Sequence, residues 1–394
     1  MRFKTFLAEA VADESKLKHL EHAEDHPINA GSAGFQHAFD TLHETHQLLT
    51  GKSSKATVTT KLDGSPSVVF GTNPENGKFF VASKSAFNAT PKLNYTPEDI
   101  EANHGHAPGL VSKLKAALEH LPKVAPKEGV YQGEFMFNKD DGDVREEGGK
   151  YHFTPNTITY SKDTNSEDGK KIGRAKMGIA VHTAYRGNSL PEMQAEYNPK
   201  LENFGSHDDV HIISPHVDTD KVKYPEAAQS EFKKHMQEAL GHHGELKNYD
   251  HADHEGRNDS STDLMKTLIN KHVREGTSPS VDSYKEHIKN YWEKKAAGVK
   301  TDAAKQSKLK NIAAAHAHID KHRDKFETLL KVHSSLQKAK NVLVNALASH
   351  TNYDHHVGGQ EVKPEGHVAV INNRPTKLVD RDEFSRLNFA ARPR

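Results

Sequence analysis

Apolar residues recur at three- and four-residue spacing in two parts of the chain and alternate with polar ones between and after them, so the periods alone sketch an order of elements. Residues 1–10 place Phe3, Phe6, Leu7 and Ala10 at helical spacing. Residues 33–49 repeat that spacing with Phe35, Ala38, Phe39, Leu42 and Leu48, and Gly51 supplies a C-terminal stop. Strand patterns follow at 56–70 and 78–83, joined by Asn73-Pro74-Glu75-Asn76-Gly77, whose Asn-Gly step suits a hairpin. A short amphipathic helix is expected at 111–121, ended by Pro122, and then strands at 129–137, 151–160 and 177–185.

The period changes between about 187 and 359. After one strand candidate at 210–214, helices are expected at 231–240, 262–275 and 281–295, and a long one at 301–348. On the last, Ile312, Ala315, Ile319, Phe326, Leu329, Leu336, Leu343 and Leu347 keep the seam, which His322, His333 and Lys340 interrupt. Such a seam predicts a packed hairpin or bundle rather than a free coiled coil. Past Gly358-Gly359 and Pro364, strands at 366–372 and 376–380 are expected to complete the sheet begun near residue 60. The fold class is therefore α+β, an antiparallel-sheet domain formed by residues 10–186 and 360–394, with a large helical insertion at 187–359.

Composition narrows this picture. At 394 residues the chain suits two to three domains, and with 34% hydrophobic residues much of it faces water. Lys+Arg and Asp+Glu balance at 54 each, so any polyanion-binding surface must come from local clustering. Residues 285–340 hold 14 Lys/Arg against 6 Asp/Glu, with Lys294, Lys295, Lys308 and Lys310 the candidates for phosphate-backbone contact. The plainer reading of such a run is a solvated helix face. The absence of cysteine excludes disulfides, thiol nucleophiles and thiolate metal sites. Twenty-nine histidines, grouped at His104/His106, His242/His243, His251/His254 and His355/His356, lie in polar, loop-like sequence without zinc-protease spacing and read as surface residues. No apolar run approaches the length of a membrane span, so no membrane partner is expected.

The chemistry gathers around Lys61-Leu62-Asp63-Gly64. A lysine amine attacks phosphorus or a carbonyl once it has lost its proton. Later in the chain stand Ser83-Lys84, Gly133-Glu134-Phe135, the strand with His182 and Tyr185, Glu365-Gly366-His367-Val368, and Lys377-Leu378-Val379. A second cation such as Lys377 would lower the lysine's proton affinity and hold a phosphate as charge builds on it. Glu134 and Glu365 could grip ribose hydroxyls or a hydrated Mg²⁺, which takes only one or two carboxylates and keeps several waters. His182 or Tyr185 offers a face for a purine.

This ordered set resembles the covalent nucleotidyltransferase superfamily of ATP-dependent DNA ligases, RNA ligases and capping enzymes. Lys61–Gly64 is similar to its motif I, Gly133–Phe135 to motif III, Met177–Tyr185 to motif IIIa, Glu365–Val368 to motif IV and Lys377–Val379 to motif V. The resemblance covers about residues 56–185 and 360–385 and implies an ATP-grasp-like ligase fold that uses ATP and Mg²⁺. By it, Lys61 carries the lysyl-AMP, Asp63, Gly64, Ser83, Lys84 and His182 belong to the nucleotide site, Glu134 contacts the ribose and the metal, Glu365 organises the metal, and Lys377 meets the α-phosphate. The sequence departs from the pattern at Val379, where a second lysine is common, with Arg381 close by, and at Val181-His182, where a Phe-Asp pair is usual. About fifteen residues follow motif V, too few for the OB module of DNA ligases and capping enzymes, and Glu365-Gly366-His367-Val368-Ala369 is similar to an RNA-ligase form. An RNA acceptor is therefore favoured over DNA.

The first ten residues, MRFKTFLAEA, also resemble the capsid-targeting leaders of internal head proteins of contractile-tailed bacteriophages, with Leu7-Ala8-Glu9 before Ala10 as the prohead-protease site. Residues 1–9 would then be a cleaved leader, and the protein would act in the host cytoplasm or travel in the virion head. The expectation is an ATP-dependent polynucleotide ligase. Its alternatives are a non-catalytic head protein that binds packaged DNA through the basic helices, and a nucleotidyltransferase with another acceptor.

Overall fold

The computed structural model describes residues 20–383 except 89, 248 and 250–260. The leader motif, His251 and His254 lie outside the described residues. Fourteen strands are described: β1 (Thr57–Thr60), β2 (Ser67–Thr72), β3 (Phe79–Ala82), β4 (Val130–Asn138), β5 (Val144–Glu147), β6 (Lys150–Phe153), β7 (Thr159–Asp163), β8 (Met177–Arg186), β9 (Gln194–Tyr197), β10 (Val210–Ile213), β11 (Asp354–Val357), β12 (Gln360–Glu361), β13 (His367–Ile371) and β14 (Arg374–Leu378). The helices are α1 (His26–Leu49), α2 (Pro97–His104), α3 (Pro108–His120), α4 (Glu167–Arg174), α5 (Glu226–Leu246), α6 (Ser261–Glu275), α7 (Val281–Ala297), α8 (Asp302–Lys321) and α9 (Arg323–Leu347). The protein is thus mixed α and β, with antiparallel sheets and a separate helical region.

Two compact units divide the chain. The first takes Thr57–Asp218 and His350–Pro375, and the second takes Glu21–Ala56, Thr219–Ser349 and the chain from Thr376 onward. The helical region expected as an insertion at 187–359 therefore draws α1 from the N-terminal side and the residues past 375 from the other. It does not begin at 187, because β9 and β10 stay with the sheets of the first unit.

The main sheet of the first unit has the order β10-β8-β4-β2-β3, with β9 also on β8. Its pairs are antiparallel except β10 on β8, which is parallel. Side chains alternate across it, and both faces are covered. Val68, Phe70, Tyr131, Phe135, Ile179 and Val181 pack with Ile100, Leu114 and Leu121, from α2, α3 and the turn after it. Val69, Phe80, Ala82, Val130 and Tyr185 pack with Leu190 and Met193 on the other side. Gly71, at φ +141°, is needed where β2 meets β4: a Cβ would stand 2.3 Å from the Gly129 carbonyl oxygen.

A second sheet has the order β12-β11-β7-β6-β5. The third, β1-β13-β14, joins the early and late strands as the sequence pattern suggests. β1 runs antiparallel to β13, with Thr57 opposite Val370 and Thr60 opposite His367.

In the second unit the dominant helices are α9, α5 and α1. α9 buries Phe326, Leu329, Val332, Leu336, Leu343 and Leu347. The two polar residues that interrupt its seam, His333 and Lys340, are buried as well and pair with acidic residues. Lys340 Nζ donates to Glu24 Oε1 at 2.7 Å, with both side chains fully buried. Arg381 grips Asp25 with two bonds, at 2.9 and 2.5 Å, and His333 Nε2 lies 3.2 Å from Asp25 Oδ1. Burial alone would raise the Glu24 carboxyl, but the charges of Lys340 and Arg381 hold it down to about 2.

Candidate active site on the strand-end loops

The residues 56–70, which alternate like one strand, form two. β1 ends at Thr60, the chain loops through Lys61–Ser65, and β2 begins at Ser67. The loop is held from several sides. Lys61 N–H donates to the Gly366 carbonyl at 2.9 Å, extending the β1–β13 ladder by one bond, and Ser65 N–H donates to the Phe135 carbonyl at 3.0 Å. Asp63 N–H donates to the Tyr160 hydroxyl at 2.6 Å. Lys113 Nζ reaches the Ser65 carbonyl at 2.9 Å.

This anchoring points the lysine at a carboxylate from the far end of the chain. Lys61 Nζ forms an ion pair with Glu365 Oε2, with the two side chains 30% and 11% exposed. Glu365 sits immediately before β13, and Gly366 adopts φ +153°, a conformation other residues rarely take. Glu134, in the middle of β4 opposite Ser67, borders the loop on another side. Gly64 packs so closely on it that a Cβ would lie 2.5 Å from Glu134 Cβ. Glu134 is 25% exposed, and its Oε1 is 3.5 Å from His182 Nε2 on β8. Lys61, Gly64, Glu134, His182 and Glu365 are therefore brought together from the β1–β2 loop, the middles of β4 and β8, and the turn before β13, all in the first unit.

The remaining sequence candidates are placed differently. Asp63 spends its carboxylate on the loop between β6 and β7, accepting from Asn156 Nδ2 at 3.1 Å and Thr157 N–H at 3.3 Å, so it fixes the lysine loop. Ser83 caps a short 3₁₀ turn that begins at Lys84, accepting from Ser85 N–H at 3.3 Å, and follows β3, whose Ala82 pairs with Val69. Lys84 is exposed. Lys377 is on β14 beyond the point where the chain passes to the second unit, and its N–H donates to the Glu21 carbonyl at 2.8 Å. Tyr185 is 1% exposed and donates to Gln132 Oε1 at 2.5 Å, so its ring is core and offers no stacking face. Lys294, Lys295, Lys308 and Lys310 lie on α7 and α8 in the second unit.

Residues without a sequence signal complete the site. Tyr160 is 1% exposed, and burial, with the charges of Asp63, Glu365 and Glu134, raises its phenol above the usual range, so it stays protonated. His367, fully buried beside the glutamate, is held neutral with its value lowered to about 3 by burial and then by His355. His355, 3% exposed, packs edge-on to Tyr160 at 5.0 Å and is lowered to about 4 by burial. The paired histidines His355/His356, read as surface groups, thus put one ring in the core, because strand alternation in β11 turns successive side chains to opposite faces. A tyrosine or histidine inside a strand carries no spacing that would mark it for this role.

Glu365 pairs with the Lys61 amine and Glu134 borders its loop at Gly64, and among the described residues no group of three or more His, Asp or Glu gathers as a metal site. That donor set fits a largely hydrated cation arriving with a polyphosphate and does not fit a dedicated all-protein cage. Among the described residues no helix is long and apolar enough to cross a membrane. No curated protein and no solved structure matches the chain. The model of one family matches residues 17–392. The chain belongs to that family, a family of unknown function designated DUF6267.

Proposed function

We propose that the protein is an ATP-dependent covalent nucleotidyltransferase of the polynucleotide-ligase type, with RNA favoured as acceptor. The carrying observation is the ion pair of Lys61 with Glu365, two residues from opposite ends of the sequence, set against Glu134 through the bare Cα of Gly64. Hairpin lysines and edge carboxylates of no consequence have no reason to be collected from four separate segments of the chain.

The chemistry follows from those atoms. An ion-paired ammonium is not nucleophilic, and Glu365 Oε2 is the group placed to take its proton. The freed Nζ attacks the α-phosphorus of ATP, forming a P–N bond as pyrophosphate leaves. A 5′-phosphate end then takes the AMP from Lys61, and a 3′-hydroxyl displaces AMP to form the phosphodiester. Magnesium, when bound with the nucleotide, would offset the triphosphate charge, with Glu365 and Glu134 as the carboxylates that hold its waters. Glu134 and His182 face the same space and serve the ribose and base.

The test is covalent labelling. Protein freed of bound adenylate, incubated with α-labelled ATP and Mg²⁺, should carry label after denaturation, and Lys61→Ala should carry none. Absence of label on the wild type, or label that survives Lys61→Ala, overturns the reading and leaves a non-catalytic nucleic-acid-binding protein as the alternative.

A further inference from the structure

Helices α7 and α8 form an antiparallel hairpin across a four-residue turn. Lys285 Nζ meets Asp320 at 2.6 Å at the open end, and Lys308 Nζ sits 5.5 Å from the Trp292 ring centroid nearer the turn. The open end is anchored, since Tyr284 and Ile319 are buried and Tyr284 stacks obliquely on Phe326 of α9 at 5.9 Å. The rest of α8 is not. From Asp302 to His318 no residue is buried, and Leu309 is 36% exposed. A helix pair needs a partner for such a face or must be solvated for another reason.

Charge identifies the partner. Between Lys289 and Lys310 stand seven lysines and two acidic residues, Glu293 and Asp302. Both acids are within 4.0 Å of a lysine, Lys289 and Lys305 respectively. Lys294, Lys295, Lys300 and Lys310 are exposed and form no ion pair among the described residues, and the half-buried Lys308 lies over the Trp292 ring face. The whole chain is neutral, so this excess of five positive charges is offset elsewhere and concentrated here. Lys295 Nζ lies 5.5 Å from the ring centroid of the half-buried Tyr291, which sets an aromatic among the cations. Unpaired ammonium groups neutralise phosphates without reading sequence, and an aromatic beside them stacks on an unpaired base.

We infer that the α7–α8 hairpin is the docking surface for single-stranded RNA, held through its phosphate backbone by Lys294, Lys295, Lys308 and Lys310 with Tyr291 stacking on a base. The inference rests on the ligase reading only for its choice of RNA. Binding of a fluorescent 20-nucleotide RNA to the full chain, measured across a salt series, tests it. Replacing all four lysines by glutamine should weaken binding more than about tenfold and flatten the log Kd against log salt slope by about 3, since each phosphate contact on a single strand contributes roughly 0.7. The same four positions changed to arginine should keep both, and Lys294→Gln with Lys295→Gln and Lys310→Gln, which spares the Trp292 contact, should show most of the loss. Unchanged binding in the glutamine variants, equal loss with arginine, or tighter binding of duplex DNA than of the RNA would each overturn the assignment. Self-adenylation by ATP needs no RNA and should be unaffected by these changes. A protein that binds RNA through the hairpin yet takes no label therefore refutes the ligase reading alone.

Discussion

Gly64 has no room for a side chain. Its missing Cβ would meet Glu134 Cβ at 2.5 Å, Met136 Sδ at 2.9 Å and the Phe135 carbonyl oxygen at 3.0 Å, two of them closer than such atoms approach in proteins. Gly64→Ala must therefore push the lysine loop off β4. On the ligase reading, displacement of the reacting lysine by about an ångström costs about a hundredfold in rate, so adenylate formation by Gly64→Ala should fall by that order, with an overpacking loss of about 1–3 kcal/mol in stability. A Gly64→Ala variant that takes adenylate at full rate would show that the clash is absorbed without moving Lys61. Lys61, Glu134 and Glu365 were visible in the sequence as charged residues beside glycines, in Lys61-Leu62-Asp63-Gly64, Gly133-Glu134 and Glu365-Gly366, standing in the chain order of the nucleotidyltransferase motifs. Tyr160, Asn156 and His355 were not, since each looks like an ordinary strand or loop residue until the loop it supports is seen.

Elements read from period alone came out with the right type and the wrong joints. The pattern at 301–348 reads as one helix, but the chain breaks at His322 (φ −120°, ψ 27°), giving α8 and α9, with His322 packed on Tyr249 at 5.2 Å. No proline or glycine marks that break, so only the packing of α9 against its neighbours locates it. The pattern at 151–160 likewise divides into β6 and β7, and α1 starts earlier than 33, with a kink at Ala30-Gly31. His333 and Lys340, which look like flaws in an apolar seam, complete the buried ion cluster with Glu24, Asp25 and Arg381. Removing one partner of such a pair leaves a buried charge, a loss of about 3–5 kcal/mol. Lys340→Met should therefore lower the unfolding free energy of the helical unit, read from urea titration, by that amount, and adding Glu24→Gln should restore most of it. A single variant as stable as wild type would mean that Arg381, whose Nη1 is already 3.7 Å from Glu24 Oε1, holds Glu24 without the lysine.

At the scale of the molecule, acid should weaken both units. Burial holds His367 at about 3 and His355 and His211 at about 4 in the first unit, and burial and then Lys233 hold His46 at about 4 in the second. All four are neutral when folded and would take up protons near pH 6.5 when unfolded, so the unfolded chain binds more protons in the interval and stability falls as pH drops. The loss begins below about pH 6.5, amounts to about 2 kcal/mol for each histidine at pH 5, and is complete near pH 3. Thermal midpoints measured at pH 7.5, 6 and 5 should fall in that order. A midpoint that is flat over this range would place these rings in contact with water.

Local periodicity, glycine and proline positions and the exclusion of cysteine chemistry are properties of short stretches of chain, and the sequence by itself determined them: the α+β class, the Lys61 motif, the strands near the end of the chain, though they begin at Asp354 and not after 360, and the basic run on α7 and α8. Tertiary structure alone decided the rest. Which strands end beside one another depends on the closure of sheets across hundreds of residues, and that closure pairs Lys61 with Glu365, backs the loop with Tyr160, and assigns Lys377 and Arg381 to the helical unit. Burial is likewise a property of the packed whole, so whether a histidine or lysine is solvated or enclosed could be settled only where the neighbouring elements stand.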